Sequence, residues 1–444
     1  MKLKWWQMAL CLSLAVPALA AGPEGSRVSA DDMVAEALLH SPLLKAAKEE
    51  VRVSGAQRDQ ADARRLPSVD VDARASRYEG LQDSSFSPTA IIPAIEDRYS
   101  ASVTLTEPLY TGGRISSQRR AAESQEQGAQ LDARSAEADL MLRTLQTYWR
   151  WAKAYYSEAS FGASVKRMEQ HDRDMANLRE AGLATDNDAL ATEVLMEQTR
   201  LRLAAARRAE ESARANLAYL VGRELPADSK PDEPAVEAAA KLPGEEALLQ
   251  AAYTNRPELA ARRMRAEAAR SSLKSSKADF YPHVSLMARY EQARPNNLNI
   301  PPEDKWADDA FVGVLLNWNV LDSGLTRAKV RESRARLAQA ELQVAEQEER
   351  VMLDVREARI ALQDAWDRME VAARVAKSAE RNLQAATDLW KNGLARHADV
   401  LDAHAQVTDA EFQVVSAKAD ALSARAALDR AVGLLRSEVV EATK

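Results

Sequence analysis

Between Thr326 and Trp390 the sequence runs without a proline or a glycine and is dense in Ala, Leu, Glu, Arg and Gln, which predicts one unbroken helix. At about 1.5 Å of rise per residue such a helix is on the order of 100 Å long. An ordinary globular domain has no room for a rod of that length, so the chain must fold around it as an elongated bundle.

The apolar pattern says what kind of rod this is. Val330, Leu337, Val344, Val351, Ala358, Ala365, Ala372, Ala379 and Ala386 recur at heptad spacing, and Val355, Leu362, Met369, Ala376 and Leu383 form the companion seam four positions on. After Val355 the first seam is all alanine, so a partner backbone can approach closely, with Leu362, Met369 and Leu383 as the larger knobs. The rod ends at Asn392-Gly393, a helix stop because glycine enters the left-handed region without steric cost. A helix from Ala398 to Leu435 then runs back.

The start of the chain reads as a secretory signal: Lys2 and Lys4 are basic, Met8 to Val16 is apolar, and Ala18-Leu19-Ala20 is a small-x-small cleavage site. The apolar run is too short to span a bilayer as a helix. The only cysteine, Cys11, falls inside this segment and follows Leu10 rather than a small residue, so it does not read as a lipid-attachment site. The mature chain would have no cysteine for a disulfide or a thiolate metal site. The formal charge is −7, and removing Lys2 and Lys4 makes the mature chain more acidic still, which argues against a nucleic-acid partner. No other apolar run approaches membrane-spanning length, so a membrane crossing would have to be made by strands.

An internal repeat sets the architecture. Ser41-Pro42 corresponds to Arg256-Pro257, Leu66-Pro67 to Tyr281-Pro282, Gly113 to Gly324, Ala181-Gly182-Leu183-Ala184 to Asn392-Gly393-Leu394-Ala395, and Val221-Gly222 to Val432-Gly433. Each unit reads helix, strand, loop, strand, long helix, turn, helix. The chain therefore divides into a signal at 1–20, a first unit at 21–222 with a β-hairpin at 68–106, a proline-rich linker at 223–244, a second unit at 245–435 with a β-hairpin at 283–319, and a tail at 436–444.

The hairpins alternate. Val69, Val71, Ala73 and Ala75 oppose Asp70, Asp72, Arg74 and Ser76; Tyr99, Ala101, Val103 and Leu105 oppose Ser100, Ser102, Thr104 and Thr106. In the second unit Val284, Leu286, Ala288 and Tyr290 oppose Ser285, Met287, Arg289 and Glu291, and Val312, Val314, Leu316 and Trp318 oppose Gly313, Leu315 and Asn317. A half-buried sheet packed on helices gives the same alternation as a transmembrane β-barrel. Four strands of about ten residues match the barrel signature, yet closing a barrel takes about eight, so several chains must contribute and three would supply 12. Tyr78, Tyr99, Tyr110, Tyr290, Trp306 and Trp318 near strand ends suit interfacial girdles. In each unit the helices before the strands and after the Gly turn together match the long helix, so they can stack end to end beside it.

At this point the sequence resembles the TolC-like outer-membrane factors of tripartite efflux and type I secretion systems. The resemblance rests on Asn255-Arg256-Pro257-Glu258-Leu259, the Pro67 and Pro282 junctions, Leu109-Tyr110-Thr111-Gly112-Gly113-Arg114 with Leu321-Asp322-Ser323-Gly324, and the two Gly-Leu turns. Its strongest local match is Gly393-Leu394 followed by Asp399-Val400-Leu401-Asp402-Ala403. The resemblance implies a mostly α fold with a transmembrane β-barrel: a homotrimer sharing a 12-stranded barrel in outer-membrane lipid, continued by an α-helical tunnel across the periplasm. A periplasmic adaptor (membrane fusion) protein and an inner-membrane transporter would dock at the tip. Gly182, Leu183, Gly393 and Leu394 would form that tip, and Asp188, Asp399 and Asp402 would line the periplasmic aperture. Where the family often carries a gating tyrosine and arginine, this chain has Trp390 and Ala395, with Arg396 one place later. The acids also fit ordinary helix N-cap and first-turn positions.

Other chemistry is thin. His397 and His404 share a helix face beside Asp399 and Asp402, which reads as a solvated polar tip in preference to a metal site. Tyr148, Trp149, Trp151, Tyr155 and Tyr156 sit mid-rod and fit either a collar formed by the linker or ordinary helix packing. No phosphate loop, nucleophile elbow or zinc-helix motif occurs, so no enzyme and no cofactor is expected. The competing class is a soluble periplasmic coiled-coil protein without a barrel, which leaves the two matched hairpins unexplained.

Overall fold

The long helix is Leu325–Lys391 (α7), and the first unit holds its counterpart at Arg114–Glu180 (α3); each is 67 residues long. This computed structural model describes residues 27–87, 90–92, 94–236, 242–296, 298–299 and 302–435. The expected signal at 1–20 and tail at 436–444 lie outside the described residues.

In chain order the first unit is β1 (Arg27–Val28), α1 (Ala30–His40), α2 (Pro42–Ala63), β2 (Ser68–Arg77), β3 (Ser84–Ser87), β4 (Ala90–Ile92), β5 (Asp97–Tyr110), α3 and α4 (Asp186–Val221). The second follows after β6 (Lys230–Pro231), with α5 (Glu245–Asn255), α6 (Pro257–Ala278), β7 (His283–Arg294), β8 (Ala307–Asn317), α7 and α8 (His397–Val432). Ser41 and Arg256 separate the two short helices of each unit, because the proline that follows starts a new helix at its first position. Ser41 also caps α2 by accepting the Leu44 N–H at 3.3 Å.

The helices pack side by side into one wall. α2 and α4 pack along α3, α6 and α8 pack along α7, and α3 also packs on α6 and α8. Along the heptad seam of α7, Val351, Val355, Leu362, Ala365, Ala372 and Ala379 are buried; Val351, Val355 and Leu362 pack with α5 and α8, and Ala379 packs with α8. Two repeated cores tie the rods at mid-height. In one, Met33 of α1 packs with Tyr148, Trp151 and Leu217; in the other, Leu248 and Ala252 of α5 pack with Val351, Val355 and Leu428.

The mid-rod aromatics hold the linker. Tyr148 is fully buried, donates its hydroxyl to the Val28 carbonyl at 2.7 Å and accepts the Asp232 N–H at 2.8 Å. Tyr156 donates to the Pro231 carbonyl at 3.1 Å, beside the two-residue parallel pairing of β1 with β6. These bonds favour the collar over simple helix packing, since their partners are backbone groups of β1 and of the linker rather than neighbouring helices.

The four main strands form an antiparallel sheet in the order β2-β5-β7-β8, which repeats the order of the helices they join. Register puts Val71, Val103, Tyr290 and Ala310 in one row on one face, and Asp72, Ser102, Glu291 and Asp309 in a row on the other. Most of the apolar face is open: Val71 is 73%, Val312 75% and Val314 65% exposed. Among the described residues no strand pairs with either outer edge, β2 or β8. Tyr99 and Trp306, with ring centroids 6.2 Å apart, mark the loop end of the sheet, and Tyr110 and Trp318 lie at the helix end. Tyr290 departs from the expectation, since it lies inside β7 opposite Val103 rather than at a strand end.

Gly433 ends α8 with φ +78°, and a Cβ there would meet Asn255 backbone at 2.9 Å and Arg256 N at 3.0 Å. Gly433→Ala is therefore expected to destabilise the chain by about 1–3 kcal/mol, from strain in the left-handed region and from forced movement of the α5–α6 junction. Thermal unfolding followed by circular dichroism checks this.

Candidate functional site

The end of the wall opposite the sheet is made by two helix-turn-helix tips. Gly182 and Gly393 take φ +70° and +73°. The bonds from Leu183 N to Leu178 O at 2.8 Å and from Leu394 N to Leu389 O at 2.9 Å close each long helix. This geometry turns both following leucines outward, Leu183 at 75% and Leu394 at 76% exposure. Two apolar side chains thus project from the tip.

The tip acids divide into two kinds. Asp188 accepts from the Thr185 hydroxyl at 2.6 Å and from the Thr185 N–H at 3.2 Å, while Thr185 Oγ1 accepts the Asp188 N–H at 3.2 Å. This capping box, chiefly the Thr185 hydroxyl, holds the Asp188 carboxyl below its ordinary range. Asp399 occupies the same position in α8, accepting the Arg396 N–H at 3.0 Å and its guanidinium at 3.3 Å. Asp402, one turn further on, is exposed. The Arg396 side chain is 86% exposed.

Trp390, in the last turn of α7, lies against histidines. Its ring is 5.3 Å from His397 and 6.0 Å from His171; His171 stacks on His397 at 5.1 Å and lies 5.3 Å from His404. This corrects the reading of His397 and His404 as a solvated tip: His397 is only 5% exposed and both rings pack against α3. The two residues share a helix face as expected, but that face meets the other hairpin rather than water. Sequence spacing could not reveal His171, which comes from the other unit. Among the described residues no group of His, Cys, Asp or Glu has the geometry of a metal site.

At mid-height a second charged cluster joins the two units. Glu258 of α6 receives Arg256 at 2.6 Å and Arg430 at 3.0 Å; Arg256 also reaches Asp354 at 2.8 Å, and Arg430 reaches Asp139 at 2.7 Å. Burial works against the Glu258 charge, but Arg430 and Arg256 outweigh it and keep the carboxyl below its usual range. This explains the Arg-Pro-Glu segment as an anchor for α8.

The sequence pattern of the outer membrane efflux protein family matches residues 33–223 and 248–434, nearly all of both units. The chain belongs to this family. As an efflux protein it is the outer-membrane channel component of a tripartite export system, a passive duct and not an enzyme. The fold agrees with solved channels. The outer-membrane channel OprN superposes with a TM-score of 0.79 at 22% identity, covering 91% of this chain and 89% of that one. VceC from Vibrio cholerae gives 0.75 at 21% identity over 91% and 96% of the two chains. The open state of the Neisseria gonorrhoeae MtrE channel gives 0.76 at 19% over 91% and 88%. No curated protein matches the chain.

Proposed function

We propose that three copies of this efflux protein close into a duct through the outer membrane, with the Gly-Leu tips reaching into the periplasm toward an adaptor and an inner-membrane transporter. The observation that carries the reading is the open sheet. Among the described residues its edges β2 and β8 have no strand partner, and much of its apolar face is exposed. Pairing β8 of one protomer with β2 of the next satisfies both edges and turns the apolar rows toward lipid. The helical wall supports the same closure, because its two borders carry exposed apolar residues: Leu190, Val194 and Leu201 on α4, and Leu342, Leu353 and Ile360 on α7. A head-to-tail contact of this kind gives a ring when the rotation between copies closes.

At the tip, Gly182, Leu183, Gly393 and Leu394 are assigned to adaptor contact, their outward leucines supplying an apolar anchor. Asp402 and Asp399 are assigned to the periplasmic aperture, with Trp390 and Arg396 beside them; Asp188 joins them chiefly through its cap of α4. A ring of three or six carboxylates favours cations in a narrow passage. Asp399→Ala with Asp402→Ala is expected to change single-channel conductance in planar bilayers and to lower cation preference. Unchanged conductance and selectivity would remove the aperture from these residues.

A further inference from the structure

The tip histidines do no work in the duct described so far, yet they join the two hairpins where those hairpins approach the turns. His171 comes from α3, His397 and His404 from α8, Thr192 from α4 and Trp390 from α7, so all four tip helices meet at one cluster. It lies nearer the turns than the Arg167–Glu411 bridge at 2.9 Å and the Ser164–Thr408 bond at 2.6 Å, which also join α3 to α8. Met168, Met196 and Leu401 form an apolar layer beside it.

The hydrogen bonding fixes the uncharged state. The Thr192 hydroxyl has one hydrogen, donated to the Asp188 carbonyl at 2.9 Å, so at 2.8 Å it can only accept from His397 Nε2. His397 then carries its proton on Nε2, leaving a buried Nδ1 with no partner. Nε2 of His171 is likewise buried and unpartnered. A second proton on either ring would sit on a nitrogen with nothing to receive it, within a stack whose rings would all become cationic. His397 is also the first residue of α8, where the helix dipole disfavours positive charge.

We propose that His171, His397 and His404 form a pH-sensitive latch that holds the two helical hairpins together at the tip near neutral pH and releases them in acid. As a control of the aperture, this inference rests on the reading of the tip given above.

The charged neighbours are few. From α3, Asp174 favours the charged form of His171, while Arg167, already paired with Glu411 of α8, disfavours that of His404; from α4, Asp188 favours that of His397; α7 presents the uncharged Trp390. Burial, aided by His404 and His397, brings His171 down to about 4, and burial lowers His397 and His404 as well. Groups that bind protons less tightly in the packed state stabilise it fully above the ordinary imidazole value of about 6.5, and that stabilisation is lost as pH falls from there through the lowered values. The latch is therefore closed at neutral pH and opens as pH falls toward about 4, the value to which His171 is lowered.

The test uses the full mature protein, whose sequence has no cysteine beyond Cys11 of the expected signal. Spin labels on Leu183→Cys and Leu394→Cys report the distance between the two tips of one protomer, with labelled chains diluted among unlabelled ones. The distance is expected to lengthen and broaden as pH falls from about 6.5 to 4, and to stay constant in the same protein carrying His171→Gln, His397→Gln and His404→Gln. A distance unchanged by acid, or the same movement in the triple variant, overturns the latch. If the triple variant does not assemble, His171→Phe keeps a ring in the central slot and is expected to make the transition shallower; an unaltered transition overturns the proposal. Single-channel conductance of the same preparations is a separate readout. Tip movement without a conductance change keeps the latch and moves the aperture elsewhere, and a parallel rise in conductance joins the two.

Discussion

Replacing Val71 and Val314 together by arginine is expected to abolish assembly into the outer membrane. Both side chains lie mid-strand on the open apolar face, 73% and 65% exposed, and each row alternates with polar residues that face the other way. An arginine facing lipid near the bilayer midplane costs about 2–4 kcal/mol, and three chains would carry two each. Asp72→Lys, on the opposite face of β2, is the matched control and is expected to assemble normally. Outer-membrane fractions and the size of the detergent-extracted protein read the outcome. Normal assembly of the arginine variant would mean that this face does not meet lipid.

The second large effect is expected at Glu258→Gln. The Arg256 and Arg430 side chains are only 8% and 9% exposed, and Glu258 is the one carboxylate that both share. Neutralising it leaves two buried guanidiniums with Asp354 and Asp139 as remaining carboxylate partners, at 38% and 60% exposure, and the Ser135 hydroxyl on Arg430. Breaking a buried pair in this way costs about 3–5 kcal/mol, and the remaining carboxylates bring the expectation to the lower end of that range. The Glu258 contribution is complete above the unfolded carboxylate value of about 4.3 and is lost as pH falls through its lowered folded value. A loss of thermal stability at neutral pH that vanishes in strong acid is the expected signature; a stability equal to that of the parent would show the cluster to be dispensable.

The features legible in the sequence were those carried by local period or repetition. The heptad seam of α7 and the alternation in β2, β5, β7 and β8 are one-dimensional signals, since each residue's face follows from its spacing alone. The matched prolines and glycines placed the same breaks in both units. The short helices α1 and α5 are not legible as separate elements, because the Ser-Pro and Arg-Pro boundaries read as helix starts and nothing in the sequence marks what precedes them. The pairing of β1 with β6 is two residues long and joins distant parts of the chain, so it leaves no periodic trace. The same holds at the tip. Thr185 and Asp188 announce their capping box by spacing, whereas the stack of His171 on His397 depends on how two hairpins lie side by side. A buried histidine and a solvated one look identical in sequence until the partner element is known.

In the proposed function this chain becomes a membrane duct only as a closed assembly of copies. Membrane fractionation followed by mass measurement of the detergent-solubilised mature protein, with circular dichroism on the same sample, tests it most directly. The predicted result is a trimer found in the outer membrane, mostly helical with a minor strand signal. A soluble monomer or dimer in the periplasmic fraction would contradict it and leave a coiled-coil scaffold in its place.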